Sequence, residues 1–102
     1  MFMKILLNKC YGGFSISKNA VVDVGLGDKY EDAIFDWVHD DDLRYNEDII
    51  KLYEEKGSAY ISGSFARLEL VEIPDEATDY KFYEYDGREW VVYVLDGKLV
   101  EV

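Results

Sequence analysis

The chain of 102 residues carries 22 acidic and 11 basic side chains, which gives a net charge of −11. The length fits a single domain over residues 1–102, and the hydrophobic share of 49% excludes a disordered tail. The charge disfavours nucleic acid and anionic membranes as partners, because their phosphates would be repelled, and it favours a basic protein. A single cysteine, the lack of an apolar run of roughly 20 residues and the lack of a signal-peptide pattern predict a cytoplasmic protein.

The first predicted element is a buried strand over residues 2–8. A loop, Cys10–Ser17, follows it and holds the only Gly-Gly pair of the chain, Gly12 and Gly13. Ser17 is a suitable N-cap for a short helix, which the glycines at 25 and 27 would end.

This loop admits two interpretations. A glycine loop between a strand and a helix N-terminus is a geometry that binds phosphate, although the spacings of a P-loop and of a dinucleotide-binding motif are missing. The residues of this candidate ligand loop are Lys9, Cys10, Tyr11, Gly12 and Gly13. In the other interpretation, the glycines let the chain turn and Phe14 packs into the core.

Residues 23–48 are the most acidic part of the chain, with ten acids against Lys29 and Arg44 and a net charge of −8. Apolar residues recur at spacings of three and four, which predicts an amphipathic helix over Asp28–Asp42. The residues of its apolar stripe are Tyr30, Ala33, Ile34, Trp37 and Val38. Acids crowd the predicted C-terminal end of this helix, where the dipole disfavours them by roughly 0.3–1 kcal/mol each, and this suggests that they have a function.

A third helix, Glu47 to Lys56, is predicted between a cap at Asn46 and a stop at Gly57. From residue 65 the apolar period changes to two, and Asp-Gly pairs at 86–87 and 96–97 predict two tight hairpins. The predicted fold is therefore α+β, in the order β-α-α-α-β-β-β-β. It has an antiparallel C-terminal meander over 65–102, an acidic helical segment over 23–48, and helices packed on one face of the sheet.

No constellation of residues predicts catalysis or a cofactor. Cys10 and His39 are the only residues of their kinds, and the acids around His39 favour its protonated form, which is a poor general base. Oxygen ligands from Asp36 and the aspartates at 40–42 are suited to a divalent cation, but no EF-hand spacing is present. The protein is expected not to be an enzyme and to hold no dedicated metal site and no cofactor.

Four stretches carry a wider pattern: N-K-C-Y-G-G-F-S-I-S at 8–17, the helix region from Arg44 to Gly57, F-A-R-L with V-E-I-P-D within 65–75, and E-Y-D-G-R-E-W at 84–90. In these stretches the chain resembles a family of small, uncharacterised proteins encoded by bacteriophages and prophages. The resemblance covers about two-thirds of the chain. Residues 23–43 have no counterpart, and residues 95–100 replace the family's basic and aromatic ending. The resemblance implies a bacteriophage origin and a common scaffold with a specialised acidic surface; it implies no activity.

Charge and resemblance together lead to the hypothesis of a phage-encoded, anti-CRISPR-like inhibitor in the cytoplasm of the infected bacterial host. Its expected target is a basic, nucleic-acid-binding defence protein such as a CRISPR effector nuclease, whose groove the carboxylates occupy in place of DNA phosphates. The candidate partner-binding residues are Asp32, Asp36, Trp37, Asp40, Asp41, Asp42, Tyr45, Glu47 and Asp48. The alternative is a protein that binds a small ligand or nucleotide signal through the Cys10–Ser17 loop.

Overall fold

The computed structural model describes residues 2–33 and 36–102, with only the backbone of residue 2. The elements in chain order are β1 (Phe2–Asn8), α1 (Lys18–Asp23), a 3-10 helix (Asp41–Arg44), α2 (Glu47–Lys56), α3 (Ser58–Ile61), β2 (Leu68–Pro74), β3 (Asp79–Tyr85), β4 (Arg88–Leu95) and β5 (Lys98–Glu101). The predicted α+β class with a C-terminal antiparallel meander is confirmed. Within the described ranges, every helix is too short or too polar to cross a membrane.

The two-stranded antiparallel sheet of β1 and β2 is buried on both faces. Its register places Leu6 opposite Leu70 and Ile5 opposite Val71, so the two pairs point to opposite sides. Leu6 lies in the core cluster under the helices, whereas Ile5 lies in a second cluster with Val91 of β4. The protein thus has three layers, with the helices, this sheet and the meander in order. The middle position of β1 explains why the three consecutive residues Ile5, Leu6 and Leu7 are all apolar.

The meander consists of three strands in the order β3-β4-β5. The predicted meander begins at residue 65, but β2 pairs with β1 along its whole length and not with the meander. Both predicted hairpins are confirmed. Asp86 and Gly87 have φ values of 50° and 88°, and Asp96 and Gly97 have φ values of 52° and 76°, which are the positive angles that a type I′ turn requires.

The first and third predicted helices begin at the predicted caps, Ser17 and Asn46. The Ser17 hydroxyl accepts a hydrogen bond from the N–H of Ala20, and the Asn46 side chain accepts one from the N–H of Ile49. Gly57 ends α2 with a φ of 87°. The short α3, which follows at once, was not predicted.

The predicted helix over Asp28–Asp42 is wrong. Residues 27–32 form turns, and Val38 forms an isolated antiparallel bridge with Ile16, with backbone hydrogen bonds of 2.8 and 3.1 Å. The segment is rich in aspartate, aromatic and β-branched residues of low helix propensity, so this tertiary pairing meets little local resistance. Ile34, one residue of the predicted apolar stripe, lies outside the described residues.

The aspartates at 40–42 occupy the opposite end of a helix from the one predicted. They lie at the beginning of the 3-10 helix and not at the end of an α-helix. Asp40 is its N-cap and accepts a hydrogen bond from the N–H of Asp42 (3.0 Å). Acids in this position are favourable, so their presence requires no functional explanation.

Candidate functional site

A nearly buried ion pair joins Arg44, at the end of the 3-10 helix, to Glu89 of β4; their side chains are 13% and 12% exposed. Arg44 Nη1 donates to Glu89 Oε1 (2.7 Å) and to the carbonyl oxygen of Leu6 (3.2 Å), while Nη2 donates to Glu89 Oε2. Arg44 Nε donates to Asp41 (3.1 Å), and the guanidinium carbon lies 3.9 Å from the centre of the Phe14 ring. Burial opposes the charged form of Arg44, but Glu89 and Asp41 outweigh it and raise its pKa.

Asn8, at the end of β1, is fully buried and extends this network. Its Nδ2 donates to the carbonyl oxygens of Cys10 and Gly87, each at 2.7 Å, and its Oδ1 accepts from the N–H of Arg67 (2.9 Å) and from the Cys10 thiol (3.3 Å). Its backbone N–H donates to Glu89 Oε1 (2.7 Å). The buried amide is therefore satisfied on both its oxygen and its nitrogen.

The Cys10–Ser17 loop is held against the rest of the protein by close backbone contacts. A Cβ atom at Gly12 would overlap the carbonyl oxygen of Phe65, and one at Gly87 would overlap the backbone of Gly13. Phe14 is 3% exposed. Phe14 therefore packs into the core, as one of the two interpretations predicts, and the glycines permit these close backbone contacts.

The polar side chains of this loop have different environments. Burial lowers the pKa of Lys9, against the opposing effect of the Glu69 charge. Tyr11 is 66% exposed, and the Cys10 thiol donates to Asn8 and to the carbonyl oxygen of Phe65 (3.3 Å). Binding of a small ligand here stays a prediction. Substitution of Gly12 would disturb packing whatever the function, so Lys9→Glu is the better test of it.

Two adjacent candidate partner-binding acids, Asp40 and Asp41, bind other side chains of the protein. Asp41 pairs with Arg44, and the Tyr30 hydroxyl donates to Asp40 Oδ2 (2.6 Å). The hydrogen bond from Tyr30 and a second one from the N–H of Asp42 lower the pKa of Asp40. Burial, together with the hydrogen bond to Asp40, raises the pKa of Tyr30 to about 12. These two acids are therefore part of the fold in the first instance.

Other acids face solvent. Asp42, Glu47 and Asp48 are exposed, and their side chains form no ion pair or hydrogen bond with any residue that the structure describes. They lie together in the 3-10 helix and the first turn of α2. Asp32 is exposed in the preceding turns, and Asp36 accepts a hydrogen bond from the N–H of Lys18 (3.1 Å).

The two predicted apolar anchors lie in different depressions of the surface. Trp37 is 53% exposed and packs edge-on against Phe65, with ring centres 6.1 Å apart, beside Asp36. Tyr45 is 47% exposed and lines a cleft next to the Arg44–Glu89 pair. The structure thus does not bring Trp37 and Tyr45 into one site.

This cleft, of about 300 Å³, lies between the 3-10 helix, the middle sheet and strand β3. Its lining residues are Ile5, Leu7, Asp41, Arg44, Tyr45, Phe82, Tyr83, Glu84 and Glu89. Sequence reasoning missed it because four separate segments contribute. The one feature of the sequence that could have indicated this cleft is Arg44, which is one of two bases in the acidic segment 23–48.

The residues considered for catalysis or metal binding have structural contacts. His39 Nδ1 donates to the carbonyl oxygen of Phe14 (2.8 Å), while Cys10 bonds to Asn8 and Phe65. Over residues 2–33 and 36–102, no group of three or more histidine, cysteine, aspartate or glutamate side chains is arranged to hold a metal ion.

Comparison of the chain with models of protein families, with curated proteins and with solved structures gave no match.

Proposed function

We propose that this protein is a non-enzymatic inhibitor that binds a basic, nucleic-acid-binding protein through its acidic surface. The resemblance to phage proteins supports a bacteriophage origin for this protein. Its partner is then a defence protein of the bacterial host, with a CRISPR effector nuclease as the leading candidate. The carboxylates occupy a groove lined by arginine and lysine, where they replace DNA phosphates and exclude the nucleic acid.

One observation supports this proposal above the others. Twenty of the 22 acidic side chains are exposed, and the remaining two, Asp40 and Glu89, are partly buried. A charge of this size exceeds the net charge of about 2–8 that suits a small soluble domain, so solubility alone does not require it. The charge is also uneven, because residues 23–48 contribute −8 of the total −11.

The contacts within the protein narrow the binding set. Asp36, Asp40 and Asp41 have hydrogen-bond partners in the fold. The acids that lie together and would break no such contact on binding are Asp42, Glu47 and Asp48. Short-range attraction between these acids and a desolvated arginine or lysine would fix the contact, and the wider charge would accelerate association.

The test is an affinity pull-down of the tagged protein from nuclease-treated host lysate, with elution by a salt gradient and identification by mass spectrometry. We expect a basic nucleic-acid-binding protein that elutes only at high salt. The variant Asp42→Lys/Glu47→Lys/Asp48→Lys should lose this partner.

A matched control separates the surface from the total charge. Glu72, Glu76 and Glu101 are exposed and belong to other parts of the fold, so their replacement by lysine alters the net charge equally. Both variants must first show cooperative thermal unfolding, because lysine in the first turn of α2 opposes the helix dipole. Equal binding by the two variants, or retention of the partner by the first, would refute the proposal.

A further inference from the structure

Strand β3 is an open edge of the meander. It pairs with β4 on one side, and no segment within residues 2–33 and 36–102 pairs with it on the other. All seven of its residues are exposed, and the strand contains neither a proline nor a bulge in its register. Natural proteins commonly protect such an edge, because its unpaired N–H and C=O groups accept an additional strand.

The register identifies the backbone groups that face this open edge. In β4, Val91 donates to Val102 (3.0 Å) and accepts from it (2.9 Å), so its backbone groups point away from β3. Its partner across the β3–β4 pair is Phe82, whose N–H and C=O must therefore point to the open side. Alternation along the strand gives the same direction to the backbone groups of Tyr80 and Glu84.

The side chains of these same three residues share the inner face of the meander. Tyr80 and Phe82 lie opposite Tyr93 and Val91, both of which are buried against the middle sheet. Tyr80 and Phe82 are nevertheless 50% and 39% exposed, since β3 extends beyond the cover of that sheet. The open edge and the inner face therefore adjoin the cleft that Tyr45, Phe82 and Glu84 line.

The chemistry of the cleft favours a cation. Aromatic rings of Tyr45 and Phe82 lie there with the carboxylates of Asp41, Glu84 and Glu89. Arg44, the one basic residue among the described residues that line it, is already paired with Asp41 and Glu89. The Glu84 carboxylate accepts a hydrogen bond from the N–H of Gly87 (3.0 Å) but forms no ion pair with a residue that the structure describes. An aromatic face next to such a carboxylate binds the ammonium or guanidinium group of an entering side chain.

We propose that β3 binds an extended, basic segment of a partner protein as an additional strand, with one lysine or arginine of that segment in the cleft. Main-chain hydrogen bonds to Tyr80, Phe82 and Glu84 would provide affinity, and the cleft would provide selectivity for positive charge. This inference rests on the proposed function for the basic character of the partner. A second copy of the chain is disfavoured as the occupant, because each copy carries −11.

The test is amide hydrogen exchange, measured by NMR, with a synthetic peptide of about seven residues in which arginine and lysine alternate with valine. With the peptide at ten times its Kd, exchange of the Tyr80, Phe82 and Glu84 amides should slow about tenfold, since only the free protein exchanges there. Lys81 and Tyr83, whose amides face β4, are the internal reference. The same peptide with a central proline should protect much less.

Two variants at one position separate the backbone from the side chain. Phe82→Thr removes the ring and keeps the N–H at the open edge, whereas Phe82→Pro also removes that N–H and leaves the pairing with β4 intact. We expect Phe82→Pro to bind the peptide about tenfold more weakly than Phe82→Thr, which corresponds to about 1.4 kcal/mol. NMR spectra of both variants without peptide must retain the chemical-shift dispersion of the folded protein, which shows that neither substitution unfolds it.

Three results would overturn the inference. Equal affinity of the two variants would exclude strand pairing at this edge. Peptide binding that perturbs only the region of Asp42, Glu47 and Asp48 would leave the proposed function intact and remove this one. Protection of the three amides that grows with protein concentration in the absence of peptide would identify a second copy as the occupant. A pull-down that recovers no basic host protein would refute the proposed function. Protection of the β3 amides by the peptide does not depend on that result, so the two failures can be told apart.

Discussion

Replacement of Glu89 by alanine should lower the free energy of unfolding by roughly 3–5 kcal/mol, the usual cost of removing one partner of a buried ion pair. Glu89 accepts two hydrogen bonds from Arg44 and one from the N–H of Asn8, and the side chains of the ion pair are nearly buried. Its loss leaves the guanidinium with Asp41 and the Leu6 carbonyl, and it leaves a buried N–H without an acceptor. The orphaned N–H alone costs about 1–3 kcal/mol.

The measurement is urea unfolding, followed by the fluorescence of the two tryptophans. The double variant Arg44→Met/Glu89→Leu should be more stable than Glu89→Ala, because an apolar pair of similar volume removes both charges together. Lys4→Met provides the matched control. It breaks the exposed pair with Glu54 and should cost less than about 1 kcal/mol. Additive effects of Arg44→Met and Glu89→Leu, with no coupling, would refute the reasoning.

Gly12→Ala should lower the free energy of unfolding by about 1–3 kcal/mol, since the new Cβ overlaps the Phe65 carbonyl; an unchanged urea midpoint would contradict this. Tyr30→Phe should raise the pKa of Asp40 toward 3.8 in a ¹³C NMR titration, because the main hydrogen bond that lowers it is lost. Since the folded-state pKa of Asp40 is the lower one, its contribution to stability is present above about pH 4 and is lost as pH falls, and Tyr30→Phe should reduce this acid dependence. Ser17→Ala should cost about 0.5–2 kcal/mol in thermal or urea unfolding, because α1 loses its cap.

The elements that the sequence predicts well are those with strong local signals. Asn46 and Gly57 bound α2 as predicted, and the two Asp-Gly pairs form the predicted hairpins. In both cases the determining contact lies within a few residues of the signal. The type I′ turn needs two adjacent positive φ angles, and an N-cap needs a side-chain acceptor three residues before its donor.

The failures arise where distant contacts decide. The apolar spacing around Val38 resembles a helix, but a bridge to Ile16 holds the backbone extended there. The Arg44–Glu89 pair joins residues 45 positions apart, and neither shows a local pattern that indicates the other. The cleft depends on the same long-range arrangement, so composition could indicate an acidic surface but could not locate a site on it.

The central position of β1 has a consequence for synthesis on the ribosome. β1 leaves the ribosome before the elements that it packs against. Its pairing partner β2 begins at Leu68, and Glu89, which accepts the hydrogen bond from Asn8, lies 81 residues after Asn8. The apolar residues of β1 therefore have no pairing partner until β2 and the residues up to Glu89 have been synthesised. Topologies dominated by such distant contacts fold slowly, and slow folding exposes the chain to aggregation. The negative charges that follow in the sequence would repel neighbouring nascent chains during this interval.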